Sequence, residues 1–387
     1  MEDGEIEDGE LPDEPMKPVK VRKLHPVDYN HFNRKRKVAL LIAYSGGGFH
    51  GMQKNPDVET IELRLMEALA AIRAIRPDLK NEFLQNNNNQ ISFNRAARTD
   101  KGVSAARQVV SLKIVANEKF LEDVNRELPE EIRVFGLERT TKSFDAKCSC
   151  SGRSYEYLVP TVAFAPSREI LDASYRLSDE QFEKINTILG MYVGTHNFHN
   201  FTSGKRFTDK SAFRYITGFS ASKPFECRGH EFIALEVSGQ SFLIHQIRKM
   251  VGLAIAICRG YCDVDTVDRA WLEHKLDIPK APGLGLLLNR VNYKAYNQKY
   301  GSDGQHNRLT WENCELDVER YKIERLWHTI IEEEIKRSSC VTWLKTLSNH
   351  TYTHSGMNAP MTNDFHGKRG IFPEINPPVI SGDGGGK

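Results

Sequence analysis

A short run of charged residues between positions 98 and 102 is the part of this sequence best suited to chemistry. Asp100 lies between Arg98 and Lys101 in the stretch ARTDKGVSAARQVVSL, and Gly102 follows. Two neighbouring cations favour the ionised form of a carboxylate, which makes Asp100 available as a nucleophile or an ion-pair partner. Gly102 permits a tight turn and a close approach of the backbone to a ligand. In most proteins such a run is a surface turn, so the pattern alone does not establish catalysis.

Apolar periodicity shows which elements must position this run. Two rounds of strand, helix and strand follow one another without a sequence repeat, which indicates two α+β halves packed together with a cleft between them as the default site. The predicted strands are KVALLIAY, QVVSLKIV, IRVFGLERT, SYEYLVP, EFIALEVSGQSFL and GLLLNRVNY. The predicted helices of the two halves are ETIELRLMEALAAIRAI, NEKFLEDVNREL, SDEQFEKINTILGMYVG and IHQIRKMVGLAIAICRG.

Two helix boundaries carry explicit signals. Ser178 is the expected N-cap of the third helix, and Gln181 three residues later completes a capping box. Gly260 marks the expected end of the fourth helix. The segment that contains Arg248 is therefore predicted to lie on the fourth helix, which ends at Gly260.

A further helix is predicted beyond residue 300, in ELDVERYKIERLWHTIIEEEIKR. Its pattern lasts too few heptads for a coiled coil, so we expect an extension packed on the body. The residues expected on its apolar side are Leu316, Ile323, Leu326, Ile330 and Ile331. The predicted organisation is a disordered tail (1–37), two catalytic halves (38–146 and 147–298), a helical extension (299–345) and a second disordered tail (346–387).

Composition and charge argue against a membrane protein and indicate a basic body. The 387 residues carry a formal net charge of +2, and the first fifteen contain only acids among their charged side chains, so the body is more basic than the total suggests. No apolar run approaches the roughly 20 residues that span a bilayer, so we expect no membrane association. Arg34 to Lys37 form a basic cluster that is either a nuclear import signal, an arm for nucleic acid or a solvated charge run.

Cofactor signals are weak throughout. The glycines in YSGGGFHG lack the Lys-Ser/Thr of a P-loop and do not match GxGxxG. Seven cysteines without an even framework favour a reducing compartment, and Cys148-Ser-Cys150 has no second pair at zinc spacing. We therefore expect no metal, no nucleotide cofactor and no disulfide.

The stretch around Asp100 resembles the signature Arg-Thr-Asp-x-Gly-Val of the TruA family of tRNA pseudouridine synthases. Further segments resemble the later motifs of that family, in the same order, over roughly residues 38 to 293. They are YSGGGFHGMQKN, GRSYEYLVP, GTHNFHNFTSG, GQSFLIHQIRKMVG and APGLGLLLNRVNY. The resemblance implies the pseudouridine synthase fold, in which two α/β sandwich halves form an extended, mostly antiparallel sheet around a central cleft.

The resemblance also assigns roles to five residues. Asp100 corresponds to the catalytic nucleophile, and Arg98 to the arginine that helps to hold the place of the flipped-out nucleotide. Tyr155 corresponds to the tyrosine that stacks on the target base, and Arg248 to the arginine that pairs with the nucleophilic carboxylate. Leu286 corresponds to an apolar wall of the uracil pocket. Without the resemblance, sheet packing, a surface ion pair and ordinary core explain Tyr155, Arg248 and Leu286 equally well.

The predicted function is isomerisation of uridine to pseudouridine in tRNA, at several sites centred on the anticodon stem, because the motifs look most like the eukaryotic multisite branch. Other small RNAs or messenger RNA are further candidate partners. The alternatives are a sister branch that acts at the far end of the anticodon arm and a catalytically idle tRNA-binding or chaperone protein on the same fold. We expect a monomer located in the nucleus, with mitochondrion and cytoplasm as other possible locations.

RNA contacts are expected from a basic loop that contains aromatic residues. Its sequence is SGKRFTDKSAFRY, and Lys142 and Lys147 precede the strand of Tyr155. Cations beside exposed rings suit phosphate contacts and base stacking, although such loops are as often only solvated. The residues in question are Lys205, Arg206, Lys210 and Arg214 with Phe207, Phe213 and Tyr215.

Overall fold

The architecture is that of a computed structural model, which describes residues 29–55, 57–84, 90–167 and 172–352. The predicted tails therefore lie outside the described residues for positions 1–28 and 353–387. The chain is already ordered before residue 38, since a 3₁₀-helix covers Tyr29–Arg34 and the first strand begins at Arg36. Phe32 is buried there, which explains the early start.

A single large sheet connects both halves of the chain. Its strands are β1 (Arg36–Tyr44), β2 (Asn94–Arg95), β3 (Ser104–Ile114), β4 (Ile132–Arg139), β5 (Gly152–Pro160), β6 (Gly194–Asn197), β7 (Phe213–Ala221), β8 (Phe225–Cys227), β9 (His230–Gly239) and β10 (Leu286–Asn292). The order across the sheet is β4-β1-β3-β10-β5-β9-β7-β6, with β2 beside β3 and β8 beside β9.

Strand β10 joins the two halves. It comes last in the chain, yet it lies between β3 of the first half and β5 of the second. It pairs parallel with β3 and antiparallel with β5, and the other pairings are antiparallel. The predicted mixed α+β fold with an extended, mostly antiparallel sheet is confirmed.

The described helices include the four that the sequence predicted for the two halves, together with short helices that it did not predict. They are α1 (Ile61–Ala71), α2 (Pro77–Leu84), α3 (Phe120–Glu127), α4 (Asp179–Gly190), α5 (Gln246–Arg259), α6 (Thr266–Arg269), α7 (Lys294–Tyr300), α8 (Glu315–Tyr321), α9 (His328–Arg337) and α10 (Ser339–Leu344). The predicted capping box of Ser178 and Gln181 is present at the start of α4. Gly260 ends α5 in the left-handed conformation, at φ 80°.

Side chains on β5 show that the sheet is covered on both faces. Successive side chains of a strand point to opposite faces. Tyr155 and Tyr157 belong to the main core, which includes α1 and α5. Leu158 belongs to a second cluster with Ile330 and Ile331 of α9. Helix α9 therefore covers the face of the sheet opposite the main core, and we call that face the back face.

The extension differs from the predicted uninterrupted helix. A π-helical segment, Lys322–Trp327, lies between α8 and α9. Leu316 and Ile323 were expected on the apolar side and are 81% and 50% exposed, so that part of the prediction was wrong. The wider π turn shifts the buried face relative to a regular α-helix. Buried residues recur at four-residue spacing at Val318, Lys322, Leu326, Ile330 and Glu334, and the predicted Ile331 is buried as well.

The extension does not end at residue 345. A 3₁₀ turn covers Leu347–Asn349, within the segment predicted as a tail. Leu347 and Tyr352 are both buried, and the Tyr352 hydroxyl donates to the carbonyl of Leu347 at 2.9 Å. The burial of these two side chains accounts for the order of residues 346–352.

Candidate active site

The loop that carries Asp100 lies between β2 and β3. The Val103 amide donates to the carbonyl of Asp100 at 3.1 Å, which closes a tight turn, and Gly102 occupies the left-handed region at φ 78°. A residue with a β-carbon is strained in that conformation, so glycine suits the position. The Asp100 side chain lies on the surface of this turn and is exposed.

The glycine-rich turn after β1 packs against this loop. A β-carbon on Gly46 would lie 2.5 Å from the backbone of Val103, and one on Gly51 would lie 2.8 Å from the carbonyl oxygen of Thr99. Both distances are too short for any side chain. The glycines are therefore explained by the close approach of the two backbones, which the sequence suggested only as a weak phosphate motif.

Two buried polar side chains hold the backbone ahead of Asp100. Gln108 on β3 accepts from the Ala97 amide at 3.2 Å and donates to the Ala97 carbonyl at 2.8 Å. The Tyr44 hydroxyl is 2.8 Å from the hydroxyl of Thr99. Gln108 and Tyr44 are both fully buried. Buried hydrogen bonds of this kind are costly to leave unmade, so they restrict the position of the loop.

A cavity of about 770 Å³ opens beside Asp100. The five residues to which the sequence assigned roles all line it, and they are Arg98, Asp100, Tyr155, Arg248 and Leu286. They come from the β2–β3 loop, β5, α5 and the first position of β10. Residues up to 188 positions apart in the chain are thus brought to one place.

Tyr155 forms part of the apolar wall of the cavity. Its ring meets the edge of Phe242 with centroids 5.2 Å apart and an interplanar angle of 81°. Burial raises the pKa of the Tyr155 hydroxyl to about 12, and the negative charge of Asp100 acts in the same direction. The hydroxyl is therefore protonated at neutral pH and can donate a hydrogen bond.

Arg248 occupies the first turn of α5. Its Nε donates to the carbonyl of Ala281 at 2.7 Å. Burial lowers the pKa of its guanidinium, while Tyr157 and the charge of Asp100 raise it. Within the described residues, Arg248 and Asp100 make no direct ion pair. The predicted pairing is therefore a long-range attraction across the cavity in this structure.

Arg98 and Leu286 lie on different parts of the cavity. Arg98 is exposed and lies two positions before Asp100 in the same loop. Leu286 is half-buried at the start of β10, in register with Tyr157 of β5. Arg98 thus offers a charge at the edge of the cavity, and Leu286 an apolar wall.

Several cavity residues had no predicted role. His245 precedes α5 in the left-handed region at φ 64°, which is unusual for a residue other than glycine. Its Nδ1 is buried without a hydrogen-bond partner among the described residues, and burial lowers the pKa of its imidazole. Phe242 and Arg153 also line the cavity. Both lie inside segments whose motifs the sequence singled out, GQSFLIHQIRKMVG and GRSYEYLVP, but neither motif indicated a role for them.

The basic loop predicted to contact RNA lies outside the cavity lining. Phe213 and Tyr215 are each 50% exposed, as suits stacking surfaces. Arg206 is exposed, and the Lys205 ammonium donates to the Ser211 hydroxyl at 2.8 Å. Lys147, from the second predicted basic pair, lines the cavity itself. The role of these residues stays a prediction.

Neither a metal cluster nor a membrane span is seen in the part of the chain that the structure describes. No group of three or more His, Cys, Asp or Glu side chains there is placed to hold a metal ion. None of the described helices combines the length and apolar character of a membrane span.

Comparison with known proteins identifies the family. A family model described as tRNA pseudouridine synthase matches residues 188–294. The mouse protein named pseudouridylate synthase 1 homolog is 46% identical over 332 residues, which cover 85% of this chain and 77% of the relative. The chain belongs to the tRNA pseudouridine synthase family. The human protein of the same name is 47% identical over 326 residues, covering 83% and 75%.

A more distant relative covers a similar share of the chain. The Yarrowia lipolytica protein named tRNA pseudouridine synthase 1 is 34% identical over 392 aligned positions, covering 78% of this chain and 72% of the relative. The resemblance to the TruA family that the motifs indicated is confirmed. The family model itself covers Arg248 and Leu286, whereas Asp100 and Tyr155 lie before the matched residues.

Proposed function

We propose that this protein isomerises uridine to pseudouridine in tRNA, at several positions centred on the anticodon stem. The observation that carries the proposal is that one cavity is lined by all five residues assigned from the sequence. The cavity combines a carboxylate, a cation and a buried tyrosine with an apolar wall. This combination suits the binding of a nucleobase that is attached to an electron-poor sugar carbon. Family membership supports the same reaction.

The reaction needs no net redox change. The bond from N1 to C1′ breaks, the uracil turns, C5 bonds to C1′, and the proton lost from C5 is balanced by one gained at N1. Asp100 can act at C1′, as carboxylates do at anomeric carbons in glycosidases. Addition of Asp100 to the uracil ring and assistance of an elimination through a glycal are equally compatible with its position.

Access to the target requires that the nucleotide leave its stack. Extrusion of a base costs a few kcal/mol, which contacts in the pocket must offset. Tyr155 and Leu286 offer apolar surface to the base, and Arg98 lies at the edge, where it can occupy the space that the nucleotide vacates. Arg248 supplies a half-buried positive charge that attracts the Asp100 carboxylate across the cavity.

Separate features of the molecule bear on RNA partners other than tRNA, on oligomeric state and on location. Other small RNAs and messenger RNA are candidate substrates because the cavity requires only an extruded uridine. Coverage of the back face by the extension supports a monomer. Arg34, Lys35 and Arg36 are exposed, which supports a role of the basic cluster in nuclear import.

The test is pseudouridine mapping on unmodified tRNA transcripts. Each transcript is incubated with wild type or with Asp100→Ala, treated with carbodiimide and copied by reverse transcriptase. We expect stops in the anticodon stem with wild type alone, and tRNA binding by both proteins. Stops only at the far end of the anticodon arm would indicate the sister-branch activity. Binding without any stop would refute the enzyme and leave an RNA-binding or chaperone protein.

A further inference from the structure

A second groove, larger than the active-site cavity, lies at the ends of the central strands of the sheet. Its volume is about 1020 Å³. It is formed by the ends of β5, β9 and β10 with α7 and the residues just before α8. We call it the distal groove and define it by Arg107, Arg153, Tyr215, Arg290, Lys294 and Arg308. Of these residues, only Tyr215 was given a role from the sequence, as a ring of the basic loop predicted to contact RNA.

Arg153 separates the distal groove from the active-site cavity and lines both. Its Nε and Nη2 donate to the carbonyl of Ala96, in the segment that leads to Asp100, at 3.2 and 2.6 Å. Its Nη1 donates to the carbonyl of Gln240 at 3.2 Å. The two cavities are therefore adjacent, with one guanidinium between them.

The charge of the distal groove is positive. Five cations line it, against the two acids Glu312 and Glu315. Glu315 is occupied by ion pairs with Arg107 and Arg290. Lys294 and Arg308 are exposed and have no carboxylate partner in the described ranges. The net charge that remains favours an anionic ligand.

Two buried donors in the groove lack acceptors. Arg107 is 2% and Trp311 is 5% exposed. The Nε of Arg107 and the Nε1 of Trp311 have no hydrogen-bond partner among the described residues. Trp311 also has a left-handed backbone, at φ 62°. Most buried donors are satisfied in folded proteins, and strained backbone concentrates at binding sites. The left-handed backbone of Trp311 is thus the feature of this wall that is typical of a binding site.

An aromatic ring completes the lining. Tyr215 is 50% exposed, and Phe213, two positions earlier on β7, is exposed to the same degree. Exposed rings beside cations are the combination that proteins use to bind single-stranded nucleic acid, because the cations contact phosphates and the rings stack on bases.

We infer that the distal groove binds the RNA backbone on one side of the target uridine, after the strand passes Arg153. This inference rests on the proposed function, since it takes the adjacent cavity as the place of the extruded nucleotide. Phosphate oxygens supply the anionic partners that Lys294 and Arg308 lack. The groove thus contributes affinity for RNA beyond the target nucleotide and takes no part in the bond exchange.

The test uses the double variant Lys294→Glu/Arg308→Glu of the full chain. Affinity for a full-length tRNA transcript is measured by filter binding between 50 and 300 mM salt, and turnover at saturating tRNA is measured in parallel. We expect affinity to fall at least tenfold at low salt. The slope of log affinity against log salt should lose about one to two units, because about two phosphate contacts are lost. Turnover at saturation should stay within twofold of wild type.

The matched control is Lys223→Glu/Lys336→Glu, which makes the same charge change at two exposed lysines that line neither cavity. It should leave affinity and salt slope close to wild type. A milder variant, Lys294→Gln/Arg308→Gln, guards against misfolding, and we expect an intermediate loss of affinity with an unchanged melting temperature.

A short oligonucleotide that fills only the active-site cavity provides a second readout. We expect it to bind wild type and the groove variant equally. The inference is overturned if the groove variant binds tRNA as the control does, or if it loses turnover at saturation. Because the binding assay needs no turnover, an unchanged affinity of the groove variant is distinguishable from failure of wild type to form pseudouridine, which would overturn the proposed function.

Discussion

At the scale of single residues, the position of Asp100 depends on uncharged neighbours. Arg98 and Lys101 flank it in sequence, yet both are exposed. Its loop is held instead by Gln108 and Tyr44, through buried hydrogen bonds to Ala97 and Thr99. An active site requires a nucleophile that is held within a fraction of an ångström, and buried hydrogen bonds provide such restraint better than exposed charges.

Tyr155 is the residue whose protonation state bears most directly on the reaction. Since its pKa is raised to about 12, the neutral hydroxyl predominates at every pH below that value. Activity should therefore show no loss from ionisation of Tyr155 between pH 6 and pH 10. We expect Tyr155→Phe to lower turnover by about 100-fold, the contribution of a positioned proton donor, with little change in affinity for tRNA.

Tyr157→Phe is the matched control for that measurement. Tyr157 lies two positions along β5, and its hydroxyl donates to the carbonyl of Pro282 at 2.7 Å. It does not line the cavity. We expect Tyr157→Phe to cost about 1 kcal/mol of stability and to leave turnover near wild type. Full turnover by Tyr155→Phe would limit Tyr155 to stacking.

At the scale of elements, the extension is tied to the strand that carries Tyr155. Lys322, in the π-helical segment, pairs with Glu156 of β5 at 2.9 Å and with Glu319 at 2.7 Å. The Nε1 of Trp327 donates to Glu156 at 3.0 Å. The Lys322 and Glu156 side chains are each 7% exposed. A helix turn that is wider than usual thus places a lysine over the back face.

Removal of one partner of this pair should be strongly destabilising. We expect Lys322→Met to lower the free energy of unfolding by about 3–5 kcal/mol, because Glu156 is then left buried without its cation. The double variant Lys322→Met/Glu156→Met should recover much of that loss. Urea denaturation followed by circular dichroism measures both.

The exposed pair of Arg320 and Asp317 serves as the control, since these side chains are 63% and 62% exposed. Arg320→Met should cost less than about 1 kcal/mol. An equally small effect of Lys322→Met would show that the buried pair does not anchor the extension.

The junction between α9 and α10 should make stability depend on pH. Glu334 is buried and accepts from the Cys340 amide at 2.7 Å, and burial raises the pKa of its carboxyl to about 7. Because this value exceeds that of the unfolded chain, the folded state binds the proton more tightly. The contribution of Glu334 to stability is complete below about pH 4.5 and is lost as the pH rises through 7.

Glu334→Gln tests this dependence, since glutamine keeps the acceptor and cannot ionise. We expect the variant to raise the melting temperature at pH 8 and to leave it nearly unchanged at pH 5. Calorimetry at the two pH values measures the difference. An equal effect at both would mean that the carboxyl does not titrate in this range.

At the scale of the whole molecule, the extension covers the apolar back face of the sheet. Ala106 and Leu287 pack there against Leu326, and Phe232 packs with Ile330 and Ile331. A chain that ends after Thr310 would expose this face. We expect that truncated chain to associate and to bind a hydrophobic dye, whereas the full chain elutes as a monomer. Light scattering coupled to size exclusion measures the mass, and a truncated chain that stays monomeric would contradict the expectation.

The sequence by itself determined the features that depend on neighbouring residues. The capping box of Ser178 and Gln181, the end of α5 at Gly260 and most strands were predicted from patterns a few residues long. The turn at Gly102 and the candidate role of Asp100 were equally local. Such signals survive without tertiary contacts because backbone conformation and hydrogen bonding over one turn depend on adjacent side chains.

Only the tertiary structure decided how these parts meet. The placement of β10 between β3 and β5 brings Leu286 to the cavity that Tyr155 lines, and no local pattern specifies that order. The buried face of the extension depends on a π turn that places Lys322 over Glu156, although helical periodicity had favoured Leu316 and Ile323. Arg153 lines two cavities, and its side chain is held there by hydrogen bonds to the carbonyls of Ala96 and Gln240, which lie 57 and 87 positions away. Contacts over such separations follow from the packing of the whole chain, which residue spacing alone does not encode.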